Sequence, residues 1–441
     1  MPRRSDTGTC ERVIAFFGWR WFIAVMTVRG VGAPVSVACA LVVSSCGGLL
    51  HESAPTTAEV MLARADEDAA ARALPEYALS TVGGEVQLRV HGSAAPIMTP
   101  SGLGPATTSS FTIDLRGDET FCTVTSASLD VAHAFERLVA SNGMTLLERP
   151  QVELDVAGGR PIVFFEVQGI SENAQGRWLR HGVLAAAHLD QGSILCASGR
   201  FEIPTFRGFF RALVATAWTP RAPMPTFRSI VATRQGTHLL GFEYTRVYPG
   251  LRAGESSELV LSSELLSDGE QWSSADGLTV TRLDEDGLVS EQRRLAVGKM
   301  SAIDMKVTRT GRGTFAYQGD VLGKPKDGVF QSPAPIVTSL VSAASVSAFA
   351  RGEIPTLSLA TFDALTPTHP VAVRVEHERD GVVRFVHPGK TFHCAIDARG
   401  LCQRRWRDED GWSAERIHSS GALEHRVLAN PAPTVPPGPT G

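Results

Sequence analysis

The chain has 441 residues, 42 basic against 46 acidic side chains and a formal charge of −4. Charges of both signs are interspersed, so no basic stripe points to nucleic acid and no acidic tail to a cation buffer. The length exceeds what one hydrophobic core usually serves, and two globular domains are expected.

From Gly30 to Leu50 no residue is charged, and Arg29 stands just before the run. A positive flank ahead of a short apolar core is the layout of a secretory leader. Pro34 and the Ser and Gly residues inside the run make it a poor membrane-spanning helix, which needs about 20 strongly apolar residues. The run ends in Val43-Ser44-Ser45-Cys46. This resembles the lipobox of bacterial lipoproteins: an aliphatic residue, two small residues, then cysteine. The resemblance implies that residues 1–45 are removed as a signal peptide and that Cys46 is diacylated as the first residue of the mature chain. It also implies a cell-envelope protein held at the membrane by a lipid anchor and facing the periplasm. Gly47, in place of an aspartate after the anchor, favours the outer membrane. Residues 13–25 form a second apolar block broken by Arg20, so a start at Met26 would leave a compact leader. The competing readings are an uncleaved N-terminal anchor and a signal cut elsewhere.

Residues 46–75 read as a lipid-anchored tether. The piece 57–74 is rich in Ala and charge, a loose helix that makes no core, and Pro75 ends it. Residues 76–218 read as an α+β domain, an antiparallel sheet with two flanking helices. Glu85 to Val90 alternates with the strand period, and Ile162 to Val167 is apolar on both sides and therefore central. Val131, Phe135, Leu138 and Val139 share one helix face; Phe206, Phe209, Phe210, Leu213 and Ala217 share another, capped by Thr205. A hairpin is expected around Asp190-Gln191-Gly192. The order of elements resembles the PsbP-type α/β/α sandwich, whose members mostly serve as binding or assembly factors.

Residues 219–225 hold three prolines and form a stiff linker. Residues 226–420 read as a larger, mostly antiparallel β domain with one internal helix. Asp-Gly pairs begin at 268, 276, 286, 327, 380 and 410, and such pairs suit hairpin turns because both residues tolerate positive φ. The pair at 327, in a Lys/Pro/Gly-rich stretch, is expected in a plain loop. A helix is expected over 336–350, ended by Arg351-Gly352. A long antiparallel sheet with a helix on its concave face resembles the LolA-type periplasmic lipoprotein carriers, which implies an apolar groove; a helix that simply fills the core is the plainer reading. Residues 421–441 form a disordered Pro-rich tail.

Beyond the leader residues Cys10 and Cys39 and the proposed anchor, four cysteines remain: Cys122, Cys196, Cys394 and Cys402. An even number in an oxidising compartment suggests two disulfides among three pairings. Cys122 with Cys196 is the simple pair in the first domain. Cys394 and Cys402 flank a hairpin centred on Ala398, a register that sets them opposite each other. Redox work or a metal site with His387 and His393 is the alternative there, without Cys-x-x-Cys or paired-His spacing. No Gly-x-Ser-x-Gly elbow, Walker loop, His-Glu-x-x-His or Gly-x-Gly-x-x-Gly is present. The acidic runs at 284–287 and 408–411 read as polar turns, and no metal or other cofactor is expected.

The sequence therefore points to a membrane-anchored envelope lipoprotein without catalysis, a binding or assembly module for an apolar ligand or a protein partner. The rival is an envelope hydrolase or transferase using Cys122 with His133 or His188. A structural spacer without ligand is the third class.

Overall fold

The structure is a computed structural model. It describes residues 12–17, 21–26 and 57–423, the last span without 82–83, 101–107, 126–143, 148–149, 174–175, 191, 199–202, 221–222, 268–271, 299–300, 333, 363–369 and 380. Cys46, the helix expected over 131–139 and the tail beyond 423 lie outside the described residues. Residues 1–62 and 63–441 form two separate compact units. In the first, β1 (Arg12–Phe17) and β2 (Trp21–Met26) pair as an antiparallel hairpin in the apolar block before Met26. The helix α1 (Thr57–Arg72) runs from the first unit into the second.

The second unit is mostly antiparallel β. β3 (Glu76–Ser80) and β4 (Gln87–His91) pair with each other. An eight-stranded sheet follows, built from β5 (Ile97–Pro100), β6 (Ser109–Leu115), β7 (Asp118–Thr125), β8 (Met144–Leu146), β9 (Gln151–Ala157), β10 (Arg160–Asn173), β11 (Gly176–His188) and β12 (Ser193–Ser198). Its order is β5-β6-β7-β12-β11-β10-β8, with β9 beside the first half of β10. The central place of Ile162 to Val167 and the turn around Asp190 match their sequence pattern. On one face lies α2 (Ile203–Thr216), with Pro204 in its first turn, where a missing N–H costs nothing. Phe206, Phe209, Phe210 and Leu213 are wholly buried against Ile162, Phe164, Ala185 and Ile194. Burial of each such side chain contributes about 1.5–3 kcal/mol before entropy is counted.

The expected tether differs. Ala71 of α1 is fully buried in the same core. The Arg211 guanidinium of α2 reaches Glu67 and Asp68 at 2.7 Å and Asp155 of β9 at 3.2 Å. Gly208 gives the clearance: a Cβ there would stand 2.0 Å from the Glu67 carbonyl oxygen. Charge in this stretch thus serves to dock its second half. A hydropathy pattern reads it only as solvated.

The remaining strands are β13 (Phe227–Gln235), β14 (His238–Pro249), β15 (Ser256–Ser267), β16 (Trp272–Leu283), β17 (Val289–Gly298), β18 (Ser301–Gly311), β19 (Thr314–Val321), β20 (Lys324–Gln331), β21 (Leu357–Phe362), β22 (Pro370–Arg379), β23 (Val382–His387), β24 (Lys390–Ile396), β25 (Cys402–Trp406) and β26 (Trp412–Gly421). They make one fourteen-stranded sheet whose order runs from β20 down to β13, then from β26 down to β21. Phe362 of β21 meets Phe315 of β19 edge-on at 6.3 Å and Phe330 of β20 at 6.1 Å. The sheet therefore curls until its two ends touch through side chains. Inside the curl sits α3 (Ser342–Ala350). It starts later than the expected 336. Ala360 of β21 donates to the Pro335 carbonyl and accepts from the Val337 N–H, and these bonds keep that stretch extended. Gly352 ends the helix at φ +77, as its sequence suggested.

The α+β expectation stands in its coarse form, but large sheets replace a clean two-domain arrangement. Leu154, Val163, Phe165, Leu184 and Ala186 of the eight-stranded sheet share a core with Ile230, Ala232, Phe242, Tyr244 and Leu261 of the fourteen-stranded one. Strand residues on either side of 219–225 are apolar on the facing surfaces and bury each other.

Candidate functional site

The concave face of the curled sheet is the best-developed surface. At one end α3 and the segment before it fill the space. Val337, Val346 and Phe349 pack on Leu357, Val375, Val383 and Cys394, while Leu340 and Ala343 pack on Phe227 and Leu401. Gly400 permits the contact, since a Cβ there would lie 1.9 Å from the Ala343 carbonyl oxygen. Farther along the same face stand Phe392 and Trp412, edge-on at 5.4 Å and outside the cores around α3. Register fixes their side: Cys394 lies opposite Arg405, and Arg405 opposite Ala414. Directly opposed residues share a face, and so do residues two apart.

A polar row crosses this apolar interior. Glu258 of β15 pairs with Thr281 of β16, which pairs with Gln292 of β17. Gln292 donates to the Thr281 hydroxyl at 3.1 Å, and Thr338, just before α3, donates to Glu258 at 2.6 Å. Glu258 is buried. Loss of solvent pushes its carboxyl up to about 7, against the Thr338 hydrogen bond and with help from the charge of Glu243.

A second polar cluster sits where the two sheets meet. Asp190 accepts from Arg160 at 2.8 Å and from Arg228 at 3.1 Å, while Arg246 donates to its carbonyl at 2.6 Å. Burial works against the Asp190 charge, but Arg160 and Arg228 outweigh it and hold the carboxyl below its ordinary value. Arg160 also donates to the Val214 and Ala217 carbonyls near the end of α2. Beside this cluster His188 is buried, its ring 6.2 Å from Phe242 and neither nitrogen hydrogen-bonded among the described residues. Burial, then the positive Arg246, push its imidazole down to about 3. This cluster ties β10, β11, β13 and β14 together, with the Arg160, Asp190 and Arg228 side chains largely buried.

The cysteine sulfurs of Cys122 and Cys196 stand 1.99 Å apart, on directly paired residues of β7 and β12. In that pairing Cys122 carries no thiol to share with His188. His133, its other suggested partner, lies outside the described residues. Cys394 and Cys402 are also at disulfide distance, 2.18 Å. The expected register is off: Cys402 lies opposite Ile396, with a bulge after Ala395, so the two cysteines are diagonal neighbours. Asp397 causes the shift, because its carboxylate accepts the backbone N–H of Arg399 and Leu401 and tightens the turn ahead of Ala398. His393 points to the other face, stacked on Trp406 and held by Glu378 at 2.6 Å and Asp408 at 3.1 Å. Among the described residues no group of three or more His, Cys, Asp or Glu is placed to hold a metal ion.

A cleft of about 330 Å³ opens on the eight-stranded sheet, lined by Pro96, Ile97, Phe111, Thr112 and Phe121. Ile97 and Phe121 are exposed. They begin a row of paired residues that continues through Ala197, Leu184 and Phe165 into the core shared by the sheets. Sequence reading missed Glu258 and the Phe392–Trp412 pair, and named His188 only as a base for Cys122. The signals present were a lone Glu in an alternating strand and aromatic residues flanking an acidic turn, neither distinctive without the fold. No protein-family model matches the chain, and neither a curated protein nor a solved structure matches it.

Proposed function

We propose that the protein is a cell-envelope lipoprotein that works without catalysis as a binding or assembly module, with its ligand site on the concave face of the fourteen-stranded sheet. The observation that carries the reading is the curl itself. One end of the face is filled by α3, and farther along it stand the buried ring of Phe392 and, edge-on against it, the half-buried Trp412. Ligand sites are concave and mostly apolar, with a few placed polar groups. Supporting the location is the leader ending in Val43-Ser44-Ser45-Cys46, with the lipidated Cys46 at the outer membrane and the folded body in the periplasm. Among the described residues no helix is long and apolar enough to cross a membrane. The partners are then the membrane, through the anchor, and an apolar ligand or an apolar segment of another protein.

Two measurements test this. Mass analysis of the mature N-terminus should find an acylated Cys46, and Cys46→Ala should release the protein from membrane fractions. The purified mature chain in detergent should bind a neutral apolar dye, with Trp412→Ala weakening binding about tenfold. A mature chain that starts elsewhere removes the anchor; no dye binding removes the groove.

A further inference from the structure

The rim of that concave face carries an unusual excess of positive charge. Arg405 Cζ lies 5.3 Å from the Phe392 ring centroid, Lys390 Nζ 5.5 Å and Arg407 Cζ 5.7 Å. Both arginines also lie 5.2 Å from the Trp412 centroid. Three cations are thus gathered over two rings. Among the described residues one carboxylate pairs with them: Asp410, 2.5 Å from Arg407. The Arg405 and Lys390 side chains lie against these rings and form no ion pair among the described residues, and the Arg407 Nε is buried without a hydrogen-bond partner there. On the opposite, convex side, Arg384 pairs with Glu376 and His393 with Glu378 and Asp408, while Arg404 lies 5.7 Å from the Trp406 ring centroid. Glu243 and Glu264 belong to β14 and β15, and β26 and β13 separate β25 from β14. At about 4.8 Å per strand that is beyond direct pairing.

Cation–π contacts orient guanidinium groups but do not cancel their charge. Two arginine forks and a lysine held around one aromatic pair gather several N–H donors in one place, the donor chemistry that recognises a phosphate-type oxyanion. Lys390 is exposed, Arg405 and Arg407 are half-buried, so the donors are reachable yet partly desolvated. We propose that Lys390, Arg405 and Arg407 form a binding site for a phosphate-bearing ligand at the rim of the concave face. The inference rests on reading that face as the ligand site. It assigns the ligand a class: a phosphate group over the cations, with any apolar portion extending toward Phe392 and Trp412.

The phosphate can belong to a soluble compound or to a lipid headgroup, and the test separates the two. The mature chain in zwitterionic detergent micelles is titrated with pyrophosphate. In parallel the micelles are doped with phosphatidylglycerol or phosphatidylcholine, and binding is read by calorimetry and tryptophan fluorescence. Pyrophosphate binding assigns a soluble phosphate compound; a response to phosphatidylglycerol alone assigns a lipid headgroup. In either case Lys390→Gln and Arg405→Gln should each weaken binding at least tenfold, and added salt should weaken it further. Arg293→Gln, at a solvent-exposed ion pair with Asp304, should leave it unchanged. Unchanged melting temperatures establish that the variants fold, and Lys390→Gln, at an exposed position, serves as the second variant where Arg405→Gln does not. No response to either phosphate source, or a response equal in parent and Lys390→Gln, overturns the site. Neutral-dye binding that persists in the variants shows the groove to be intact, so loss of the anion site and loss of the groove are read separately.

Discussion

Thr338 donates a 2.6 Å hydrogen bond to the buried carboxyl of Glu258, joining the segment before α3 to the middle of the concave face. The carboxyl pays for its place by being hard to ionise. Folded, it holds its proton up to about pH 7; its ordinary value is 4.5. The folded state therefore binds more protons between those values, and stability from this group is complete below 4.5 and lost as pH rises through about 7. Glu258→Gln removes that slope. Denaturant titrations should show the variant gaining on the parent by on the order of 3 kcal/mol between about pH 4.5 and pH 8.

His188 sets the opposite limb. Its imidazole is lowered to about 3 from 6.5, so the unfolded chain takes the proton first. Its contribution is intact above 6.5 and is lost as pH falls toward 3. His188→Leu should flatten the acid side of the stability profile, with a difference from the parent on the order of 3 kcal/mol near pH 4. A parallel acid limb in both proteins would count against a neutral His188.

Arg211 holds α1 through Glu67, Asp68 and Asp155. Arg211→Met keeps the stem and leaves two largely buried carboxylates without it. The expected loss is about 3–5 kcal/mol. Hydrogen exchange should rise over residues 63–72 before the rest of the fold responds; uniform exchange would mean that the helix is held elsewhere.

The two cysteine pairs should differ in weight. Loop-closure entropy grows with the enclosed length, 74 residues apart for Cys122–Cys196 against 8 for Cys394–Cys402. Replacing both cysteines by Ser should cost about 4 kcal/mol in the first case and about 2.5 kcal/mol in the second. Equal losses in chemical denaturation would show that strain or packing, and not loop length, decides.

Local pattern carried much of the fold. The phenylalanine stripe of α2 and the strand at Ile162 to Val167 are where periodicity puts them. Of the Asp-Gly pairs, those at 286 and 410 lie at turns, with Gly287 and Gly411 at positive φ; Gly381 is also at positive φ, and Asp380 before it lies outside the described residues. Those at 276 and 327 are inside strands, and the pair at 268 lies outside the described residues. There glycine serves close approach: a Cβ at Gly328 would stand 2.6 Å from the Tyr317 hydroxyl, and one at Gly277 2.6 Å from Ser262 Oγ. Composition cannot separate those two uses of glycine. The concave face was illegible for a related reason. Thr338 and Glu258, or Arg405 and Phe392, become neighbours only through strand order, which no local period encodes.

That strand order also bears on how the chain is made. Phe227 of β13 lies opposite Gly421 of β26, and both strands sit at the middle of the sheet. The central seam waits for the last described strand to emerge, because non-local pairing must bear its loop-closure cost before it gains contacts. A polypeptide emerging from its N-terminus would expose a half-built sheet with an open edge at β13 throughout that interval. Holding such an intermediate apart from its neighbours is a task for chaperones.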